Sequence, residues 1–139
     1  MTIAEKQQKI IQEHGEALRS NNKHNYLIKL GLSRSPIELK YKTEDNLVKG
    51  CQVKTWFCAT YQDNKVYYHI DSSSVMIRGI ISLLVEALSG QEPKDIIQAD
   101  LYFIERLGLK DDFSPVRANS LRKLVNQIKS AAASYINNN

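Results

Sequence analysis

The chain has 139 residues, enough for one domain with a sizeable core, so neither disulfides nor a structural metal is required to hold it together. Its net charge of +4 arises from nineteen Lys and Arg against fifteen Asp and Glu. Read along the sequence the two signs interleave, without a basic segment carrying stacking aromatics, which argues against a nucleic-acid partner.

The two cysteines, Cys51 and Cys58, are too few for an all-cysteine zinc site. The most apolar run, Val75 to Leu88, is interrupted by Arg78 and Glu86 and falls short of the about 20 residues that a membrane span needs. The N-terminus lacks the apolar core of a signal peptide. One domain over residues 1–139 is expected, in the cytoplasm, with reduced thiols and no metal or other cofactor.

Thr2 with Glu5 three residues on forms a capping-box pattern, and Ile3, Ile10, Ile11, Ala17 and Leu18 recur at helical spacing, predicting a first helix to about Arg19. Ser20-Asn21-Asn22 interrupts it. Tyr26, Leu27 and Leu30 predict a short second helix that Gly31 ends in the left-handed conformation. Ser33-Arg34-Ser35-Pro36 then opens an extended connector, within which Ile37 to Tyr41 supplies a strand.

Val53 to Tyr61 has strand composition, Gln62-Asp63-Asn64-Lys65 is a turn, and Val66 to Ile70 returns as the second strand of a hairpin. A lone hairpin is marginal in water, which favours the additional strand. Asp71 and Ser72 to Ser74 offer caps for a central helix over Val75 to Leu88, stopped by Gly90. Its polar residues Arg78, Ser82 and Glu86 form one narrow stripe. Short helices follow from Pro93 to Ile97 and from Tyr102 to Leu107. Ser114-Pro115 caps a last helix with Leu121, Leu124, Val125 and Ile128 as its buried stripe, before a fraying Asn-rich end. The architecture is α+β, with a small antiparallel sheet of about three strands packed against helices.

Cys51 follows Gly50 on the loop that enters the hairpin, where a backbone without a Cβ can bend to present or withdraw a thiol. A nucleophilic thiolate gains from nearby positive charge, for which Lys49, Lys54 and Arg117 are the candidates. The two lysines read as solvated. Arg117 lies in the first turn of the last helix, where a cation opposes the macrodipole by about 0.3–1 kcal/mol, so a pairing with Asp71 or with the thiol loop would compensate it. Asp71 reads equally as a helix cap or as support for the loop. Cys58, seven residues from Cys51, falls on the opposite strand face and reads as a small core residue without a disulfide. His69 lies within a strand and has no assigned role.

Several motifs, taken in order, resemble the SufE family: Leu47-Val48-Lys49-Gly50-Cys51-Gln52, Trp56-Phe57, Asp71-Ser72, Ile77-Arg78-Gly79, Pro93-Lys94-Asp95-Ile96-Ile97, Leu107-Gly108-Leu109 and Ser114-Pro115-Val116-Arg117. The resemblance covers about Tyr26 to Ile128. It implies the α+β fold shared with the IscU scaffold. It also implies that Cys51 accepts persulfide sulfur from a pyridoxal-phosphate cysteine desulfurase of the SufS type, supported by Gly50, Gln52, Asp71 and Arg117. The chain would then be a sulfur carrier and desulfurase activator rather than an enzyme, feeding an iron-sulfur scaffold of the SufBCD type, and a homodimer stays open. Val53, Ser73 and Ser120 depart from the family pattern, and the acidic residue usual before the second helix is missing from Arg19 to Asn22. An iron-sulfur scaffold is the alternative, although it needs about three cysteine-type ligands. A cysteine hydrolase would need a His base in a recognisable setting, which the sequence does not offer.

Overall fold

The computed structural model describes residues 1–110 and 115–137, leaving aside the side chains of Val116, Arg117 and Asn137. Helix α1 spans Ile3–Leu18 and starts as its sequence dictates: the Thr2 hydroxyl accepts from the Glu5 N–H, and the Glu5 carboxylate accepts from the Thr2 N–H. This reciprocal bonding draws the Glu5 carboxyl below its ordinary range. Ile3, Ile10 and Leu18 turn inward on one face.

Helix α2 spans Lys23–Ser33 and continues through Gly31, so the expected left-handed stop there is not formed. Gly31 has a different use. It faces the Val75 carbonyl at the start of α3, Val75–Leu88, and Gly79 of α3 faces the Leu27 carbonyl in return. A Cβ at either position would overlap backbone, so the two helices cross at a distance that only glycine permits. The α3 cap is Ser74, whose hydroxyl accepts from the Ile77 N–H, and Gly90 turns the chain with φ +81° beyond its end.

Strands β1, Thr55–Gln62, and β2, Lys65–Ser72, pair antiparallel with Thr55 opposite Ser72 and Gln62 opposite Lys65. Asp63 and Asn64 both take positive φ, 54° and 65°, the geometry that matches a two-residue turn to strand twist. Phe57, Val66, Tyr68 and Ile70 bury the inner face against α3.

The described sheet has two strands, and the third strand expected at Ile37 to Tyr41 is absent. That segment instead contains a single 3₁₀ turn, Leu39–Tyr41, followed by another at Glu44–Asn46. Tyr41 stacks on His69 at 4.1 Å between ring centres, so the segment covers the outer face of the sheet rather than extending its edge. Each edge carries one isolated bridge, Leu47 with Trp56 and Val66 with Gln91.

Helices α4, Pro93–Gln98, and α5, Phe103–Arg106, lead to the long α6, Pro115–Asn137. The Ser114 cap expected for α6 lies outside the described residues. Leu121, Leu124, Ile128 and Ala132 form its buried stripe, with Val125 only half-buried beside it. Two tyrosines fasten α6 to the hairpin: Tyr68 donates its hydroxyl to the Ile128 carbonyl at 2.8 Å, and Tyr135 donates to the Ala59 carbonyl at 3.0 Å while stacking on Tyr61. Burial pushes the Tyr68 hydroxyl well above the usual phenol range. This fastening places the first half of α6 beside the loop that enters β1.

Candidate functional site

That loop is tied at its two ends. The Val48 N–H donates to the Thr55 carbonyl at 2.8 Å, and the Ser73 N–H donates to the Lys54 carbonyl at 2.9 Å. Between these ties residues 49–53 belong to no helix or strand, with a turn at Lys49 and Gly50. Gly50 takes φ +84°, a conformation costly for any residue with a Cβ. The result is a short flap held at both ends and carrying Cys51 near its tip.

Cys51 is half-buried and lines a cavity of about 130 Å³. Ile77, Ile80 and Ile81 of α3 form one wall, and Leu121 and Leu124 of α6 form the other. Gln52 and Val53 border it from the flap, while the Ser74 and Ser120 side chains bring hydroxyl groups to an otherwise largely apolar lining. A thiol in this position is partly screened from bulk water by side chains that cannot react with it.

Lys49 and Lys54 are exposed, as their solvated reading predicts. Arg117 sits on the first turn of α6, but its side chain lies outside the described residues. Lys123 of α6, which sequence reasoning did not single out, comes to the flap: its ammonium is 2.5 Å from where a Cβ on Gly50 would stand.

Asp71 belongs elsewhere. It is neither the cap of α3 nor part of the Cys51 cavity. It is buried at the end of β2, accepting from the Ser72 N–H at 2.8 Å and pairing with Arg78 at 3.1 Å and Lys42 at 3.8 Å. A longer bond of 3.4 Å from the Ile37 N–H joins the connector to the same carboxylate. Asp71 therefore fastens the connector to α3, and the expected support of the thiol loop comes from the Ser73 N–H instead.

Both thiols are free. Cys58 lies opposite His69 on the outer face of the sheet, half-buried and outside the core expected for it, because Phe57 takes the inward position. His69 stacks on Tyr41 and shares a hydrogen bond with Thr60, and burial draws it below the ordinary imidazole value. No group of three or more His, Cys, Asp or Glu able to hold a metal occurs among the described residues. No helix among them is long and apolar enough to cross a membrane.

The interleaving of charge read along the chain breaks in two stretches. Residues 46–62, which carry the flap and β1, and residues 115–137 of α6 contain Lys49, Lys54, Arg117, Arg122, Lys123 and Lys129 but no Asp or Glu. The remaining thirteen cations of the nineteen are outnumbered by all fifteen acids, so the rest of the chain is net −2. Two acid-free stretches were the signal in the sequence; only the fold brings them together.

A family model described as SufE, an Fe-S metabolism associated domain, matches residues 8–132. A SufE-like protein 1 of Arabidopsis thaliana, named as chloroplastic/mitochondrial, is 30% identical over 128 residues, 91% of this chain and 34% of that protein. The chain thus spans about a third of that relative's length. An uncharacterised SufE-like protein of Synechocystis sp. is 27% identical over 127 residues, 91% of this chain and 80% of that one. The solution structure of a hypothetical protein from Thermus thermophilus shares the fold, with a TM-score of 0.73 and 19% identity over 95% of this chain and 96% of that one.

Proposed function

The chain belongs to the SufE family of iron-sulfur metabolism, and from that premise we propose that Cys51 is a persulfide acceptor for a pyridoxal-phosphate cysteine desulfurase of the SufS type. The observation that carries this reading is the thiol's position: on a flap outside any helix or strand, lining a partly enclosed and largely apolar cavity. Sulfur transfer needs both properties. The Cys51 thiolate attacks the terminal sulfur of the donor persulfide, a new S–S bond forms on Cys51, and the donor's own sulfur leaves as a thiolate. No net oxidation or reduction occurs. The transferred sulfur is labile to stray thiols, so it gains from cover between encounters and from exposure when docked.

Outward movement of residues 49–52 about Gly50 on donor binding supplies the exposure. The chain then acts as a non-enzymatic carrier and activator in the cytoplasm, passing sulfur to an iron-sulfur scaffold of the SufBCD type. Adding the protein to a SufS-type desulfurase with excess cysteine and a reductant tests this. Wild type accelerates sulfide release and Cys51→Ser does not; equal acceleration by both would overturn the proposal.

A further inference from the structure

The charge around the thiol identifies the kind of surface that meets it. Lys49 and Lys54 stand two residues before and three after Cys51, and both are exposed. Lys123 is exposed on α6, the helix that also supplies Ser120, Leu121 and Leu124 to the cavity, whereas Arg122 lines a separate groove with Asp100 and Glu105. Lys123 crosses from α6 to Gly50 on the flap, and no ion pair compensates it among the described residues. Lys129, further along α6, donates to the Ala99 carbonyl at 2.7 Å and is partly engaged.

Lys49, Lys54 and Lys123 thus stand together at the flap, and no Asp or Glu occurs within residues 46–62 or 115–137, so the surroundings of the thiol are locally positive. We propose that this basic rim is a docking surface for an acidic face of the sulfur-donor protein, with Lys123 at the point where donor and flap meet. The proposal rests on the persulfide-acceptor reading and adds the chemistry of the partner: carboxylates arranged around the donor's reactive sulfur. An incoming acidic face is oriented by the rim before contact. Lys123 reaches the flap at Gly50, one residue before Cys51. It acts as a positioning residue through the flap, without contact to the reacting sulfur.

The test uses the chain alone, in a Cys58→Ser background, so it does not depend on whether sulfur is ever transferred. Cys51 reacts with two disulfide reagents, the dianion dithiobis(nitrobenzoate) and the neutral dithiodipyridine, and the ratio of the two rates is measured. Taking the ratio cancels any change in thiolate fraction or flap opening common to both. At low salt Lys123→Gln lowers the ratio about fivefold, the factor expected for one unit charge acting on a dianion at about 8 Å through water. Lys123→Glu lowers it further, Lys123→Arg restores it, and high salt brings wild type toward Lys123→Gln.

In a parallel arm, poly-L-glutamate protects wild-type Cys51 from dithiodipyridine and fails to protect Lys123→Glu. A ratio unchanged across the Lys123 series overturns the proposal. Protection by random duplex DNA that exceeds that by polyglutamate overturns it as well, in favour of a nucleic-acid partner.

Discussion

Replacing Gly31 by alanine tests the crossing that positions α2 against α3. In isolation the change is favourable, because alanine in a helix interior is better than glycine by about 1 kcal/mol. Here the new methyl meets the Val75 carbonyl, and the reciprocal Gly79→Ala meets the Leu27 carbonyl. These obstacles are helix backbone and cannot rotate aside, so the helices must separate and loosen the buried Leu27, Ile80, Leu83 and Leu84. Overpacking of this kind costs about 1–3 kcal/mol, and a backbone obstacle places it at the upper end.

Net of the propensity gain, each single variant should lose about 2 kcal/mol. For a chain of 139 residues that is a melting temperature lower by about 6–8 °C. The double variant should lose clearly less than the sum, since one separation relieves both overlaps. Gly15→Ala is the control, because its methyl would meet only the mobile end of Arg19. Urea denaturation of wild type and the four variants measures the differences. A Gly31→Ala protein as stable as Gly15→Ala would refute the close crossing.

Gly50→Ala strains a residue at φ +84° by about 1 kcal/mol, and opening relieves that strain, so iodoacetamide should alkylate Cys51 about fivefold faster. An unchanged rate would mean that the flap opens without altering this dihedral. Amides of residues 49–52 should exchange hydrogen faster when a SufS-type desulfurase binds, and unaltered exchange would count against outward movement. Tyr68→Phe removes the 2.8 Å bond to the Ile128 carbonyl and should cost about 1 kcal/mol in denaturant titrations. Burial lowers the folded-state value of His69 below its unfolded value. Its contribution to stability is therefore intact above the unfolded value and is lost as pH falls through the folded one. Thermal melts across mildly acidic pH should show a decline that His69→Gln weakens; identical profiles would remove His69 as the cause.

The helices were legible wherever local chemistry decides them. Thr2 and Glu5 cap α1 as their spacing requires, Gly90 turns the chain after α3, and Asp63-Asn64 forms the predicted turn. The errors arose where one local pattern serves two structures. Gly31, followed by Leu32-Ser33-Arg34, resembles a helix stop, and only the arrival of α3 shows why glycine is needed within the helix. Ile37, Leu39 and Tyr41 alternate like a strand, yet Tyr41 stacks over His69 on the face of the sheet instead of pairing at its edge.

Cys51 and Gly50 could be singled out as a candidate site because their chemistry is local. The cavity beside them could not, since its walls come from residues 77–81 and 120–124. Asp71 was misplaced for a related reason: its partners Lys42 and Arg78 come from segments on either side of it, and their joint arrival makes it a structural tie.

The central claim concerns one sulfur atom, and intact mass tests it most directly. The protein is incubated with cysteine and a SufS-type desulfurase and weighed without reductant, alongside Cys51→Ser and Cys58→Ser. Wild type and Cys58→Ser should each gain the mass of added sulfur, and Cys51→Ser should gain none. Added sulfur that persists in Cys51→Ser and disappears in Cys58→Ser would contradict the account.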